Sequence, residues 1–331
     1  MNIVIVGLGV IGGGYAMALK EAGYKNVYGI DTNKETLIKA KQLKIITDGC
    51  EVGDEVIKKA DLMILAIYPD LVLEFINKKK ALFKDGLIIT DVTGIKKLFI
   101  EEVLKVLPAN VDFVFGHPMA GREKRGIDYA TNSVFKGANY LITVTEKNKN
   151  ENIEKIESLA YELGFKKVKK ITPEYHDEMI AFTSQLPHAL AVSLINSDIE
   201  GRDTGSFIGD SYRELTRIAN INEILWSELF LGNKENLIHS ITAFQGELER
   251  MKAAIINEEK EELEKLFIKS TKRREALWWF TMLLYFSNIN FANVWPDSNP
   301  KVIAVLIKSK VAIPPKIPVS NLLKFVLIQY P

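Results

Sequence analysis

Three polar clusters in this 331-residue chain combine side chains that can do chemistry. In Gly116-His117-Pro118-Met119-Ala120-Gly121, a histidine follows the apolar run Phe113-Val114-Phe115. A histidine at the carboxyl end of a strand in an open α/β sheet faces the ligand crevice, and with an ordinary pKa of about 6.5 it accepts a hydroxyl proton at neutral pH. The plainer reading is a histidine that stabilises the turn before Pro118. In Thr183-Ser184-Gln185-Leu186-Pro187-His188, Pro187 removes a backbone donor from a helical stretch. A kink is expected there, leaving polar side chains able to reach into a cleft. On spacing alone His188 is equally a satisfied buried histidine. Tyr212-Arg213-Glu214-Leu215-Thr216-Arg217-Ile218-Ala219 offers Arg213 and Arg217, either able to hold a carboxylate through a bidentate pair or simply to face solvent. The four histidines (117, 176, 188 and 239) show no ligand spacing such as His-Glu-x-x-His, so no metal is expected.

A fourth signal supplies the partner for such a base. Gly7-Leu8-Gly9-Val10-Ile11-Gly12 follows the aliphatic run Ile3 to Val6 and opens a helical stretch reaching about Ala22. Gly7 permits the tight turn, Gly9 admits a pyrophosphate, and Gly12 lets helix and strand pack closely. Gly7, Gly9, Val10, Ile11 and Gly12 are therefore expected against a dinucleotide. Asp31, at the end of the run Asn26 to Ile30, can accept from both ribose hydroxyls and would repel a 2′-phosphate, favouring NAD over NADP. Hydride removal from a carbinol carbon needs a proton acceptor on its oxygen, the role open to His117.

The elements that must position these groups read as two kinds. Short aliphatic runs at 3–6, 26–30, 62–66, 87–90, 113–115 and 140–144 alternate with amphipathic helical stretches, the pattern of a doubly wound parallel sheet. From Pro173 to about Trp279 long helices dominate. Asn257 is expected to cap one of them, with Glu258 and Glu259 in its first turn and Lys272 to Arg274 near its end. The reading is an α/β Rossmann-like dinucleotide-binding domain over residues 1–170, an all-helical second domain over 171–280, and an irregular C-terminal tail over 281–331. That tail holds six of the eleven prolines, no Gly, Glu, Arg or His, and a net charge of +4. It reads as a segment not selected with the rest, such as one from an altered reading frame. A membrane-surface or partner-binding tail is the other reading.

Composition bounds the function class. With 43 basic against 42 acidic side chains the net charge is +1, which gives no field to hold nucleic acid or an anionic membrane. A single cysteine, Cys50, and an N-terminus without a basic leader point to a reducing cytoplasm.

Together, His117-Pro118-Met119-Ala120-Gly121, Gln185-Leu186-Pro187-His188 and Leu215-Thr216-Arg217-Ile218-Ala219, in this order behind the glycine fingerprint, resemble the prephenate dehydrogenase family over residues 1 to about 279. The resemblance implies NAD-dependent oxidative decarboxylation of prephenate to 4-hydroxyphenylpyruvate in tyrosine biosynthesis, by a cytoplasmic homodimer built through the helical domain. It implies that His117 polarises or deprotonates the C4 hydroxyl, that Arg217 holds the ring carboxylate, and that His188 lies near the pyruvyl side chain. Many relatives carry a serine in an Asp-x-Gly-Ser-x-Lys loop. Here the loop is Asp91-Val92-Thr93-Gly94-Ile95-Lys96, so Thr93 is the candidate for a substitute hydroxyl. Arg122, where relatives have a small hydroxyl residue, is a second anion contact or a solvent-facing side chain. The alternatives are an arogenate or cyclohexadienyl dehydrogenase and, more remotely, a non-catalytic NAD-sensing protein of the same fold.

Overall fold

A computed structural model describes residues 1–121 and 124–287. The chain divides into a unit Met1–Gln245 and a unit Gly246–Pro331. In the first unit, β1 (Asn2–Val6), β2 (Asn26–Ile30), β3 (Asp48–Cys50), β4 (Leu62–Leu65), β5 (Ile88–Asp91) and β6 (Asp112–Phe113) form one parallel sheet in the order β3-β2-β1-β4-β5-β6. The helices α1 (Val10–Glu21), α2 (Lys34–Gln42), α3 (Asp54–Ile57), α4 (Pro69–Lys79) and α5 (Lys97–Val106) connect these strands. Strand side chains alternate between faces, so a continuous aliphatic run feeds two cores. Ile3, Ile5, Leu62 and Ile64 pack into one, and Val4, Val6, Met63 and Leu65 into the other. The strand order reverses between β1 and β4, and the crevice at their carboxyl ends is the place such sheets keep for ligands.

The chain leaves this sheet next to the candidate base. Val114 still donates its N–H to the Ile89 carbonyl at 2.8 Å, but β7 (Phe115–Pro118) pairs antiparallel with β8 (Asn139–Thr143). After α6 (Asn150–Glu162), β9 (Lys167–Ile171) pairs parallel with β8. The single strand expected at 113–115 is therefore two, and His117 lies within β7 opposite Leu141 rather than in a turn after a strand. Gly116 makes the crossover possible, because a Cβ there would lie 2.0 Å from the Tyr140 hydroxyl. Neither β3 nor β9 shows in the sequence pattern. The first is Asp-Gly-Cys, and the second carries three lysines along an outer strand.

The rest of the first unit is helical: α7 (Pro173–Ile180), α8 (Leu186–Asn196), α9 (Asp210–Thr216), α10 (Glu223–Gly232) and the first half of α11 (Lys234–Ile256). Where Pro187 was expected to kink the helix, a π-helical turn, Ala181–Gln185, joins α7 to α8. Proline cannot return an i−4 hydrogen bond, and the wider turn accommodates the gap.

In the second unit, α12 (Lys260–Ser287) follows a turn in which Glu258 takes a left-handed φ of 55° and the Glu259 N–H bonds the Ala254 carbonyl at 2.8 Å. The helix expected from Asn257 thus begins at Lys260. It runs on to Ser287, which puts Lys272 to Arg274 in its interior rather than at its end. Most of the expected irregular tail, 288–331, lies outside the described residues. Among the described residues no helix is long and apolar enough to cross a membrane.

A Cβ on Gly12 would stand 1.8 Å from the Gly7 carbonyl oxygen, which backbone cannot yield. Gly12→Ala is expected to destabilise the protein by about 1–3 kcal/mol or more, read as a lowered midpoint in thermal denaturation. An unchanged midpoint would contradict this close approach of Gly12 to the Gly7 carbonyl.

Candidate active site

A cleft of about 850 Å³ opens at the carboxyl ends of β1 and β4 and continues to the helices that follow β9. Its nucleotide-side wall includes Gly9, Val10 and Ile11, and Pro69 flanks it. Gly7 and Gly12 shape this wall from behind. Gly7 has φ 85°, and a Cβ on it would sit 2.5 Å from the Ala66 carbonyl. At Gly9, by contrast, nothing lies within 4 Å of where a Cβ would be. Gly9 caps α1 without a side-chain hydrogen bond, and the first turn of α1 holds no acidic residue. Its amide N–H groups are thus directed at whatever fills the space.

Asp31 is not among the cleft-lining residues. It stands half-buried at the end of β2, where one carboxylate oxygen accepts the Leu8 N–H at 2.8 Å and the other the Asn33 N–H at 2.9 Å. A carboxylate has about four acceptor positions, so two amides still leave room for ribose hydroxyls. The open space at Gly9, the uncapped helix start and the acceptor at the end of β2 fit a dinucleotide.

The opposite side of the cleft is built on a buried ion pair. Lys96 and Asp91 have fully buried side chains, and the Lys96 Nζ lies 2.6 Å from Asp91 Oδ2. Burial pushes the ammonium below the usual lysine range, against the pull of Asp91. Asp91 Oδ1 accepts the Gly116 N–H at 3.0 Å, and Lys96 Nζ donates to the Gly116 carbonyl at 2.8 Å. Both backbone groups of the residue before His117 are thereby fixed. Lys96 also donates to the Thr93 hydroxyl and carbonyl, each at 3.0 Å, and the Thr93 hydroxyl bonds Asp91. Thr93 borders the cleft, but its hydroxyl belongs to the ion pair. The expected substitute for the missing serine thus hydrogen-bonds Asp91 and Lys96.

His117 borders the cleft, and its Nδ1 lies 2.9 Å from Nε2 of His176. Nδ1 of His176 lies 2.7 Å from Asp177 Oδ1. Asp177 in turn accepts the Lys96 N–H at 2.9 Å and the Lys97 N–H at 2.8 Å, at the start of α5. His117 is held well below the ordinary histidine range, first by burial and then by His176 and Lys96. At neutral pH it is an uncharged imidazole.

The helical side contributes His188, Arg217 and Trp226 to the same cleft. His188 donates from Nδ1 to the Ser184 carbonyl at 2.8 Å, inside the π-helical turn, and stacks on Trp226 with ring centres 3.7 Å apart. Gln185 is buried, bonding the Leu229 carbonyl at 2.7 Å and the Asn233 amide at 2.9 Å, and so ties the turn to α10. Of the two candidate arginines only Arg217 borders the cleft, whereas Arg213 pairs with Asp210 on the surface. Arg122 lies outside the described residues. Lys124 and Arg125 also border the cleft, and no sequence motif marked them. Arg125 pairs with Glu223 at the start of α10, and Lys124 sits over the Tyr129 ring. His176 and Asp177 were missed as well. The only sequence signal was an adjacent His-Asp in the first turn of an expected helix, with nothing to link it to a histidine 59 positions earlier.

The chain's likeness to known proteins agrees with this geometry. Residues 15–169 match the family model for the prephenate dehydrogenase nucleotide-binding domain, and residues 172–269 match that for the prephenate dehydrogenase dimerization domain. The prephenate dehydrogenase of Bacillus subtilis is 28% identical over 282 residues, covering 83% of this chain and 76% of the relative. The crystal structure of prephenate dehydrogenase from A. aeolicus, in complex with hydroxyphenyl propionate and NAD+, is 29% identical. It covers 84% of this chain and 98% of that one, with a TM-score of 0.77. Synechocystis arogenate dehydrogenase, 26% identical, covers 84% of this chain and 100% of its own, with a TM-score of 0.71. Two adjoining family models over most of the chain, and a cleft built from the residues that carry the sequence motifs, give one conclusion: the chain belongs to the prephenate dehydrogenase family.

Proposed function

We propose that this chain, an oxidoreductase of the prephenate dehydrogenase family, oxidatively decarboxylates prephenate to 4-hydroxyphenylpyruvate with NAD+ and acts in a cytoplasmic homodimer. The observation that carries the reading is the neutral His117, placed on one cleft with the open first turn of α1 and with Arg217. The proposed layout is a nucleotide domain over 1–170 and a helical domain over 171–280, in keeping with the family-model borders at 169 and 172. The second of those models is described as a dimerization domain, which supports pairing through the helical half.

Bound NAD+ would supply the hydride acceptor. Gly9, Val10 and Ile11 would hold its pyrophosphate against the start of α1, and Asp31 its ribose. His117 accepts the hydrogen bond of the C4 hydroxyl, so electron density rises at that oxygen as hydride leaves C4. The electron pair of the bond to the ring carboxylate then moves into the ring and CO₂ departs. His117 takes the hydroxyl proton as hydride leaves, and returns it to the phenolate oxygen formed on decarboxylation. Arg217 would orient the departing carboxylate, and His188, braced on Trp226, would lie near the pyruvyl side chain on the same ring carbon. Orientation is the protein's main contribution, since forming an aromatic ring drives the step.

The direct test is NADH formation by the purified protein with prephenate and with arogenate, each with NAD+ and with NADP+. Prephenate with NAD+ is expected to give the highest kcat/KM. A preference for arogenate would establish the second reading, which the Synechocystis likeness favours. Equal efficiency with NADP+ would remove the role given to Asp31.

Because burial, His176 and Lys96 all lower the His117 pKa, kcat/KM should stay flat from about pH 8 to about pH 6.5 and fall only on the acid side of the ordinary histidine value. His117→Asn is expected to cut turnover by roughly 10²–10⁴-fold while prephenate binding is retained. An acid limb at or above pH 7, or near-normal turnover in the variant, would take the base role from His117. Arg217→Ala is expected to raise KM for prephenate by about tenfold or more, the worth of a charge-assisted hydrogen bond. An unchanged KM would shift the carboxylate contact to Lys124 or Arg125.

A further inference from the structure

We propose that His176 and Asp177 are positioning residues that set the tautomer of His117, placing the lone pair of His117 Nε2 on the cleft. The inference rests on the reading of His117 as the base and adds what makes it one. An imidazole with one proton is a base at one nitrogen and a donor at the other, and nothing in a lone histidine decides which. Here a chain of three groups decides it.

The chain starts at Asp177. Its Oδ1 accepts the Lys96 N–H at 2.9 Å and its Oδ2 the Lys97 N–H at 2.8 Å, so the carboxylate has only lone pairs to offer. Nδ1 of His176, 2.7 Å from Oδ1, must therefore carry a proton. The His176 ring is fully buried, and burial outweighs the attraction of Asp177 to hold it below the usual histidine range. His176 is then neutral at pH 7, and its single proton is the one on Nδ1. Its Nε2 can only accept. The atom 2.9 Å away is Nδ1 of His117, which must be the donor. The remaining nitrogen of His117, Nε2, is left unprotonated on a ring that borders the cleft.

The reverse assignment would set two lone pairs, or two N–H groups, against each other at 2.9 Å in a buried contact, which costs the desolvation of both groups. Among the described residues, His176 is the hydrogen-bond partner of His117. Gly94 brings no side chain, and a Cβ there would reach only within 3.8 Å of His117 Cε1. The Thr93 hydroxyl is engaged with Asp91 and Lys96.

The arrangement is read most directly in the wild-type protein by ¹⁵N NMR of imidazole-labelled material at pH 7.5, with His117→Asn to assign the signal. The expected result is a His117 signal protonated at Nδ1 and bare at Nε2. Protonation at Nε2 would overturn the proposal whatever the activity, and would leave the case for His117 to its own variant. Two substitutions then separate tautomer control from packing. His176→Phe, which fills the site but has no acceptor, is expected to move the His117 proton toward Nε2. It should lower kcat at least about tenfold with KM for prephenate within about twofold. His176→Gln keeps an acceptor near the Nε2 position and is expected to restore the Nδ1–H signal and most of kcat. A Phe variant with unchanged tautomer and kcat, or a Gln variant no better than the Phe one, would overturn the proposal. If the Phe variant does not fold, the wild-type signal and the Gln variant still decide it.

Discussion

The buried pair between Lys96 and Asp91 is the contact on which the site depends. Two charges without access to water repay their desolvation only if their remaining donors and acceptors are used. Here they are: the ammonium reaches the Thr93 and Gly116 carbonyls, and the carboxylate takes the amides of Thr93 and Gly116. The pair thereby joins the end of β5 to the start of β7, where the chain passes from one sheet to the other. Removing one partner of such a pair typically costs about 3–5 kcal/mol, because the other is left as an unpaired buried charge. What the pair supplies beyond stability is a fixed backbone one residue before His117.

The same cation contributes to the electrostatics of the site. Lys96 is one of the groups that lower His117 and His176, after burial in both cases. Its own backbone amide, with that of Lys97, anchors the Asp177 carboxylate. One short loop after β5 therefore positions the strand that carries His117, adds to the lowering of that histidine's pKa, and fixes the far end of the chain His117–His176–Asp177. The helical half is coupled to this loop through α7, where Asp177 lies, and through the Asp177 carbonyl, which accepts from the Asn233 amide at 2.8 Å.

The nucleotide side obeys a simpler constraint. Close packing of the glycine turn against the Ala66 backbone and the first turn of α1 leaves space only at Gly9, so the steric map and the amide-rich helix start coincide. This part of the protein is local in sequence: β1, the turn and α1 are consecutive, and Asp31 closes the next strand.

That locality explains what the sequence by itself determined. The places of Gly7, Gly9, Gly12 and Asp31 could be read because each follows from position relative to one strand and one helix. Arg217 and His188 could be placed only through motif resemblance, since nothing local brings α8, which carries His188, together with the short turn after α9 that carries Arg217. Tertiary structure alone decided that Phe113 and Phe115 belong to different sheets, that Arg213 pairs with Asp210 on the surface, and that the Thr93 hydroxyl is spent on an ion pair. It alone brought His176 to His117. A hydrogen bond between side chains 59 positions apart leaves no periodic trace, because it depends on where β7 and α7 are carried by the sheets beneath them, and that path is set by the packing of many apolar side chains at once.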